Sequence, residues 1–209
     1  MTTPNVTESI ITNESNLLEI TEKAVISALL LLSIITTFKG LSQDMPFWDW
    51  AYARHSNTWS WFVRPLFIPL YVYFAYRRNL LGMITTIVGI ATSMYWFPIP
   101  LNPNPDVLHF LDQEQLYLTT GWTPVKIIWS SFVPITLIAL AIAFWKHSVP
   151  TGFGVINVIA FLKITWSVIE DPQSGWILIP FALLGLVITD LLVIIVARKK
   201  GIELLPKRN

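Results

Sequence analysis

Three apolar stretches of this chain run directly into a basic cluster: Arg77 and Arg78, then Lys146 and His147, then Arg198, Lys199 and Lys200. Nine of the ten tryptophans lie at the opposite ends of the apolar stretches, and only Trp145 sits beside a basic cluster. In a bilayer the two biases have separate causes. Lysine and arginine are retained on the cytoplasmic side, whereas indoles settle at the membrane interface. Their agreement gives the chain an inner and an outer side.

Composition supports the same reading. A chain of 209 residues with 54% hydrophobic and 13% charged residues and a mean hydropathy of +0.58 has more apolar surface than a soluble core of that size can bury. The excess must face lipid. The net charge of +1 hides the segregation of charge by side and offers nothing to nucleic acid. With no cysteine there is no disulfide, thiolate nucleophile or cysteine-bound metal.

The expected fold is all-α: a polytopic bundle of six membrane-spanning helices with extended outer loops and a short interfacial helix. At about 20 mostly apolar residues per crossing, the spans fall roughly at 20–38, 59–76, 80–97, 123–145, 152–169 and 176–197. Residues 1–18 read as a polar cytoplasmic tail, and 201–209 as a short basic one. Glu8, Glu14, Glu19 and Glu22 stand where a secretory signal would be basic. The tripeptides at Asn5 and Asn13 that match a glycosylation pattern then fall on the cytoplasmic side by chance. The expected location is a bacterial or archaeal cytoplasmic membrane with both termini inside.

The inner connections are short and the outer ones, 39–58 and 98–122, are long enough to fold back over the bundle. Thr85, Gly89 and Ser93 recur at four-residue intervals, a small-residue ridge that marks the third span as the expected central helix and as a face for a second copy. In the second outer loop, alternate prolines from Pro98 to Pro105 favour an extended strut. Asn104 then starts a short helix that dips Val107, Leu108 and Leu111 toward lipid or bundle and leaves Asp106, His109 and Asp112 on its polar side.

Ionisable side chains at membrane depth are the strongest functional pointers in such a chain. Arg64, Lys126 and Lys163 all lie within about 10 Å of the outer boundary, counting 1.5 Å per helical residue. Two readings of this layer stand side by side, with the snorkelling of unrelated side chains to the interface as a third. One is a set of ion pairs with Glu170, Asp171, Asp106 and Asp112; the other is an anion site for a phosphate, carboxylate or lipid headgroup, with Glu170 beside it. Asp190 lies deeper, in the inner third of the last span, where it suits a proton or cation relay or a hydrogen-bonded helix contact. Asp106, His109, Asp112 and Glu114 are candidates for handling protons, with Asp49, Arg54 and His55 facing them from the first outer loop. No metal site and no cofactor are expected, haem included, because no two histidines face each other inside the spans.

Three classes of function remain open. Transport of a small ion or anionic solute through an outward-facing vestibule stands first. A membrane-embedded enzyme acting on a lipid or lipid-linked headgroup at the outer leaflet is the alternative, and a structural or assembly subunit is the third. A polar path from Arg64 to Asp190 distinguishes transport, and a closed inner half beneath an open outer pocket distinguishes the enzyme. Membrane lipids are the expected partners throughout.

Overall fold

The computed structural model describes residues 6–204, with side chains from residue 15 onward. Asn5, and Lys207 and Arg208 of the basic tail, lie outside the described residues. Eight helices and two short 3-10 turns follow in chain order, with no strand among the described residues: α1 Val6–Leu41, α2 Phe47–His55, α3 Trp59–Tyr76, α4 Leu80–Thr92 with a 3-10 turn at Ser93–Tyr95, α5 Pro105–Thr119, α6 Pro124–Trp145, α7 Val149–Glu170, a 3-10 turn at Gly175–Leu178, and α8 Ile179–Lys199. Helix α1 begins inside the segment read as a tail, and α2 fills much of what the sequence presents as a loop.

Four helical segments are long and apolar enough to cross a membrane: Ser15–Leu41, Pro124–Trp145, Val149–Glu170 and Gly175–Lys199. The shorter apolar segment Leu80–Tyr95 and helix α3 occupy the places expected for spans three and two. These two helices are less hydrophobic or shorter for a physical reason. Helix α3 packs against α4, α6 and α8, and buries Ser60, Trp61, Phe67, Tyr71, Val72, Phe74 and Ala75. A helix surrounded by protein needs no continuous lipid-facing surface.

The central helix is therefore α3, which corrects the expectation for α4. The ridge on α4 is turned inward: Thr85, Gly89 and Ser93 are all buried. A Cβ on Gly89 would stand 2.7 Å from Phe67 Cε1, and one on Gly82 would run into the Phe74 ring. The small residues serve as seats for the aromatic knobs of α3, so the face read as a contact for a second copy is occupied within the chain. Pro65 sits in the same way over Gly185 of α8. Helix α1 lies outside α4 and is tied to it by Ser33 Oγ to Thr92 Oγ1 at 2.9 Å and Thr37 Oγ1 to Tyr95 Oη at 2.8 Å.

Three helices end at the basic clusters with one backbone device. The amides of Asn79, Ser148 and Ile202 reach back to the carbonyls of Phe74, Ala143 and Ala197, and Arg78, His147 and Gly201 take the left-handed conformation between, with φ of 56°, 57° and 65°. Two of the left-handed residues then cross over. Arg78 Nε donates to the Trp145 carbonyl at 3.2 Å, and His147 Nε2 donates to the Tyr76 carbonyl at 3.0 Å. Each hairpin caps an orphan carbonyl at the end of the other.

Glu22 of α1 closes the same end of the bundle. Its carboxylate accepts from Tyr73 Oη at 2.8 Å, Arg77 Nε at 2.7 Å and Asn79 Nδ2 at 3.3 Å. Removing one partner of such a network strands the others. Glu22→Ala and Arg77→Ala are each expected to destabilise the detergent-solubilised protein by about 1–3 kcal/mol, and the double variant by less than the sum. Thermal or denaturant unfolding measures this; strictly additive losses would show that the pair is not coupled.

A candidate site around Arg64

The α2–α3 turn places Arg64. Helix α2 ends at His55, and α3 starts four residues later, so His55 lies over the first turns of α3. Trp61 Nε1 donates to the His55 carbonyl at 2.9 Å, and the Trp61 ring packs on Phe110 and Phe181, which fixes the turn against α5 and α8. Arg64 Nη1 lies 2.8 Å from His55 Nε2, and His55 Nδ1 lies 2.8 Å from Ser60 Oγ. A guanidinium only donates, so His55 Nε2 accepts and Nδ1 carries the proton. The imidazole is therefore neutral. Burial pushes its pKa well below the ordinary histidine value, and the positive charges of Arg64 and Lys163 push in the same direction.

Arg64 Nε is buried and has no hydrogen-bond partner; Thr85 Oγ1 is the other such side-chain atom among the described residues. A charged donor held in place on one side and unpartnered on another is costly, and its usual resolution is a ligand or an ion pair. Glu114 of α5 is the carboxylate whose charge acts on both Arg64 and Lys163. No ion pair within 4.0 Å joins these three among the described residues. Glu114 also acts on Tyr52, whose hydroxyl is pushed up to about 12, first by burial and then by this carboxylate.

A cleft of about 420 Å³ opens beside Glu114, between the second half of α5, the start of α6 and the end of α7. Tyr117, Lys126, Trp166, Glu170 and Asp171 also line it. Its volume is in the range of small-molecule sites, roughly 300–1,000 Å³. Lys163 holds its ammonium 4.5 Å from the centre of the Trp166 ring.

The structure brings together two of the three outer cations. Arg64 and Lys163 feel each other's charge, but Lys126 is held apart, donating to Thr120 O at 3.1 Å and Thr120 Oγ1 at 3.0 Å over the Tyr117 and Trp122 rings. Glu170 is exposed at the rim of the cleft and pairs with none of them. Glu114, expected as a proton carrier, occupies the position expected for Glu170. Spacing does not reveal this, because Glu114 is far from both Arg64 and Lys163 in sequence and the return of α5 over the bundle brings its charge to bear on them.

The remaining candidates lie elsewhere. On α5, Val107, Phe110 and Leu111 are buried against the bundle, while Leu108 is exposed. His109 turns to the loop between α7 and α8, with Nδ1 at 2.9 Å from Ser174 Oγ and 3.5 Å from Asp171 Oδ2. Ser174 Oγ donates to Asp171 as well. Burial raises the Asp171 pKa, but hydrogen bonds from the Ser174 hydroxyl and from the Ser174 and Gln173 amides, aided by His109, bring it below the usual carboxylate value. This knot fastens α5 to the bundle. Asp112 and Asp49 are exposed, Asp106 is half-buried at the first turn of α5, and no three potential ligands converge on a metal site among the described residues.

Arg54 donates to the carbonyls of Tyr95 and Trp96, which ties α2 to the end of α4. Asp190 accepts from Asn157 Nδ2 of α7 at 3.3 and 3.4 Å, a hydrogen-bonded contact between adjacent helices. Comparison with protein-family models, with curated proteins and with solved structures finds no match.

His55 makes the site sensitive to acid. Its folded pKa is depressed, so the unfolded chain binds a proton first as pH falls through about 6.5, and stability present above that pH is lost below it. The loss is at most about 1.4 kcal/mol per pH unit for one proton. Melting temperature should fall between pH 7.5 and 5, well above the range in which Asp171 titrates, and the slope should flatten in His55→Gln. An unchanged slope in that variant would assign the acid sensitivity to other groups.

Proposed function

We propose that the chain is a six-span integral membrane protein with both termini on the cytoplasmic side, and that its outer layer binds the anionic group of a solute or lipid headgroup. The spans are α1, α3, α4 with its 3-10 extension, α6, α7 and α8 with its preceding turn. Helix α3 has 18 residues, about 27 Å at 1.5 Å per residue, close to the hydrocarbon thickness. Helices α2 and α5 then lie on the outer side, and the basic clusters lie inside, as the positive-inside bias requires.

The observation that carries the binding reading is the buried, unpartnered Nε of Arg64 beside a second cation, Lys163. His55 fixes the guanidinium without neutralising it, so the charge remains available to a phosphate or carboxylate. Glu114, whose charge acts on Arg64 and Lys163, lines the cleft; Arg64 and Lys163 themselves do not.

Two observations favour a site that opens outward only over a route across the membrane. Tyr71, Phe74, Leu140, Phe144, Ile156 and Val193 form one packed cluster through the middle and inner bundle. Helix α3 also continues unbroken past Pro65 and Pro69, without the discontinuous half-helices on which transporters build midplane sites. For catalysis the site offers no free histidine, because His55 is held between Arg64 and Ser60 and His109 is held at Ser174.

Inorganic phosphate and acetate, titrated against the protein in a neutral detergent, test the reading. Either anion should raise the melting temperature of the wild type. Arg64→Gln should weaken the response 10- to 100-fold, the loss of a charge-assisted contact worth about 1.5–3 kcal/mol. Arg64→Lys should keep part of it, and Lys126→Gln should leave it nearly unchanged. No response in the wild type, or an equal response in Arg64→Gln, would remove the anion site.

A further inference from the structure

The inner end of the bundle carries a second site, independent of Arg64. Helices α4 and α6 both pack on α3, and between them runs a groove of about 310 Å³ lined by Leu80, Met83, Ala141, Ile142, Trp145 and Lys146. Apart from Lys146 its lining is apolar, and Leu80 and Ile142 are exposed on its walls. Two cations stand at its mouth. Lys146 forms the C-terminal cap of α6, and Arg78 immediately precedes Asn79, the N-cap of α4. The Arg78 Nε bond to the Trp145 carbonyl carries the guanidinium across from one wall of the groove to the other.

We propose that this groove binds one anionic phospholipid, with an acyl chain along Leu80, Met83 and Ile142 and the phosphate between Arg78 and Lys146. The shape matches an amphiphile: an apolar channel that ends in positive charge at the membrane boundary. Arg78 and Lys146 are both exposed and form no ion pair among the described residues. Arg77, by contrast, is paired with Glu22 and is not available. A second copy of the chain is a poor occupant, since it would bring its own basic clusters against these. A zwitterionic lipid would fill the groove but would set its ammonium group among the cations. Anionic headgroups recruited by juxtamembrane lysine and arginine satisfy both requirements.

The purified protein in phosphatidylcholine nanodiscs, titrated with phosphatidylglycerol and examined by native mass spectrometry and thermal melting, tests this. One phosphatidylglycerol should be retained in preference to phosphatidylcholine, with a rise in melting temperature. The Arg78→Asn/Lys146→Gln double variant should lose at least tenfold in apparent affinity; asparagine is chosen because it tolerates the left-handed backbone at position 78. Ile142→Trp, which fills the groove and leaves both charges, should also lose retention. Glycerophosphoglycerol, the headgroup without chains, should not protect. Whatever Arg64→Gln does to anion binding at the other end, it should still retain the one phosphatidylglycerol that Ile142→Trp loses; loss in Arg64→Gln with retention in Ile142→Trp would place the lipid at the outer site instead. Equal retention of phosphatidylcholine, or undiminished phosphatidylglycerol binding in both the double variant and Ile142→Trp, would overturn the proposal.

Discussion

The seating of α3 among small residues of its neighbours is the contact on which the rest of the structure depends. Phe67 and Phe74 press into α4 at Gly89 and Gly82, and Pro65 presses into α8 at Gly185. In lipid there is little hydrophobic drive between helices, so association relies on close packing and on hydrogen bonds. Aromatic knobs over glycine provide the packing, and they let a helix with two internal prolines stay regular because the neighbouring helices enclose it. Any side chain at those glycines would lift α3 away. Arg64 lies one residue before Pro65, so the depth and direction of the guanidinium follow from the same contact.

Much of the architecture was legible in the sequence because bilayer physics writes it in large letters. Apolar length, basic flanks and tryptophan position each report on membrane depth, and four of the expected spans fall on helical segments long and apolar enough to cross, while the expected second and third fall on α3 and the shorter α4. The start of α5 was legible as well, since Asn104 before Pro105 and Asp106 is local capping chemistry, and Asn104 Oδ1 does accept from the Asp106 amide at 2.8 Å. What was not legible is which helix faces which. The Thr85–Gly89–Ser93 ridge identified a close approach but not its partner, and so suggested the wrong central helix. Helix α2 escaped notice because its aromatic residues anchor as well in a loop as in a helix.

The site illustrates the same limit. Arg64 and Lys163 stood out individually because cations are costly on the outer side of a membrane. Their partners could not be assigned from spacing. His55 belongs to the site because α2 turns back onto α3 within a few residues, and Glu114 belongs because α5 returns across the bundle, pinned by Trp61, Phe110 and the His109–Ser174–Asp171 knot. Neutral histidine is a consequential partner for an arginine whose Nε is buried. A carboxylate in its place would satisfy the guanidinium and cancel its charge, whereas imidazole accepts one hydrogen bond and leaves the charge intact.

The two ends of the bundle use positive charge in opposite ways. At the inner end, Arg78 and His147 each donate to the last carbonyl of the other hairpin, and Arg77 is neutralised by Glu22, so much of the local charge is engaged with helix ends and with the carboxylate of α1. Lysine and arginine there are favoured twice, by the topology bias and by the negative end of the helix dipole. At the opposite end Arg64 lies in the first third of α3, near the positive end of the helix dipole, and forms no ion pair among the described residues. A cation that helix dipole and desolvation both disfavour, with its Nε unpartnered, leaves room for a compensating interaction of the kind the proposed anion would supply.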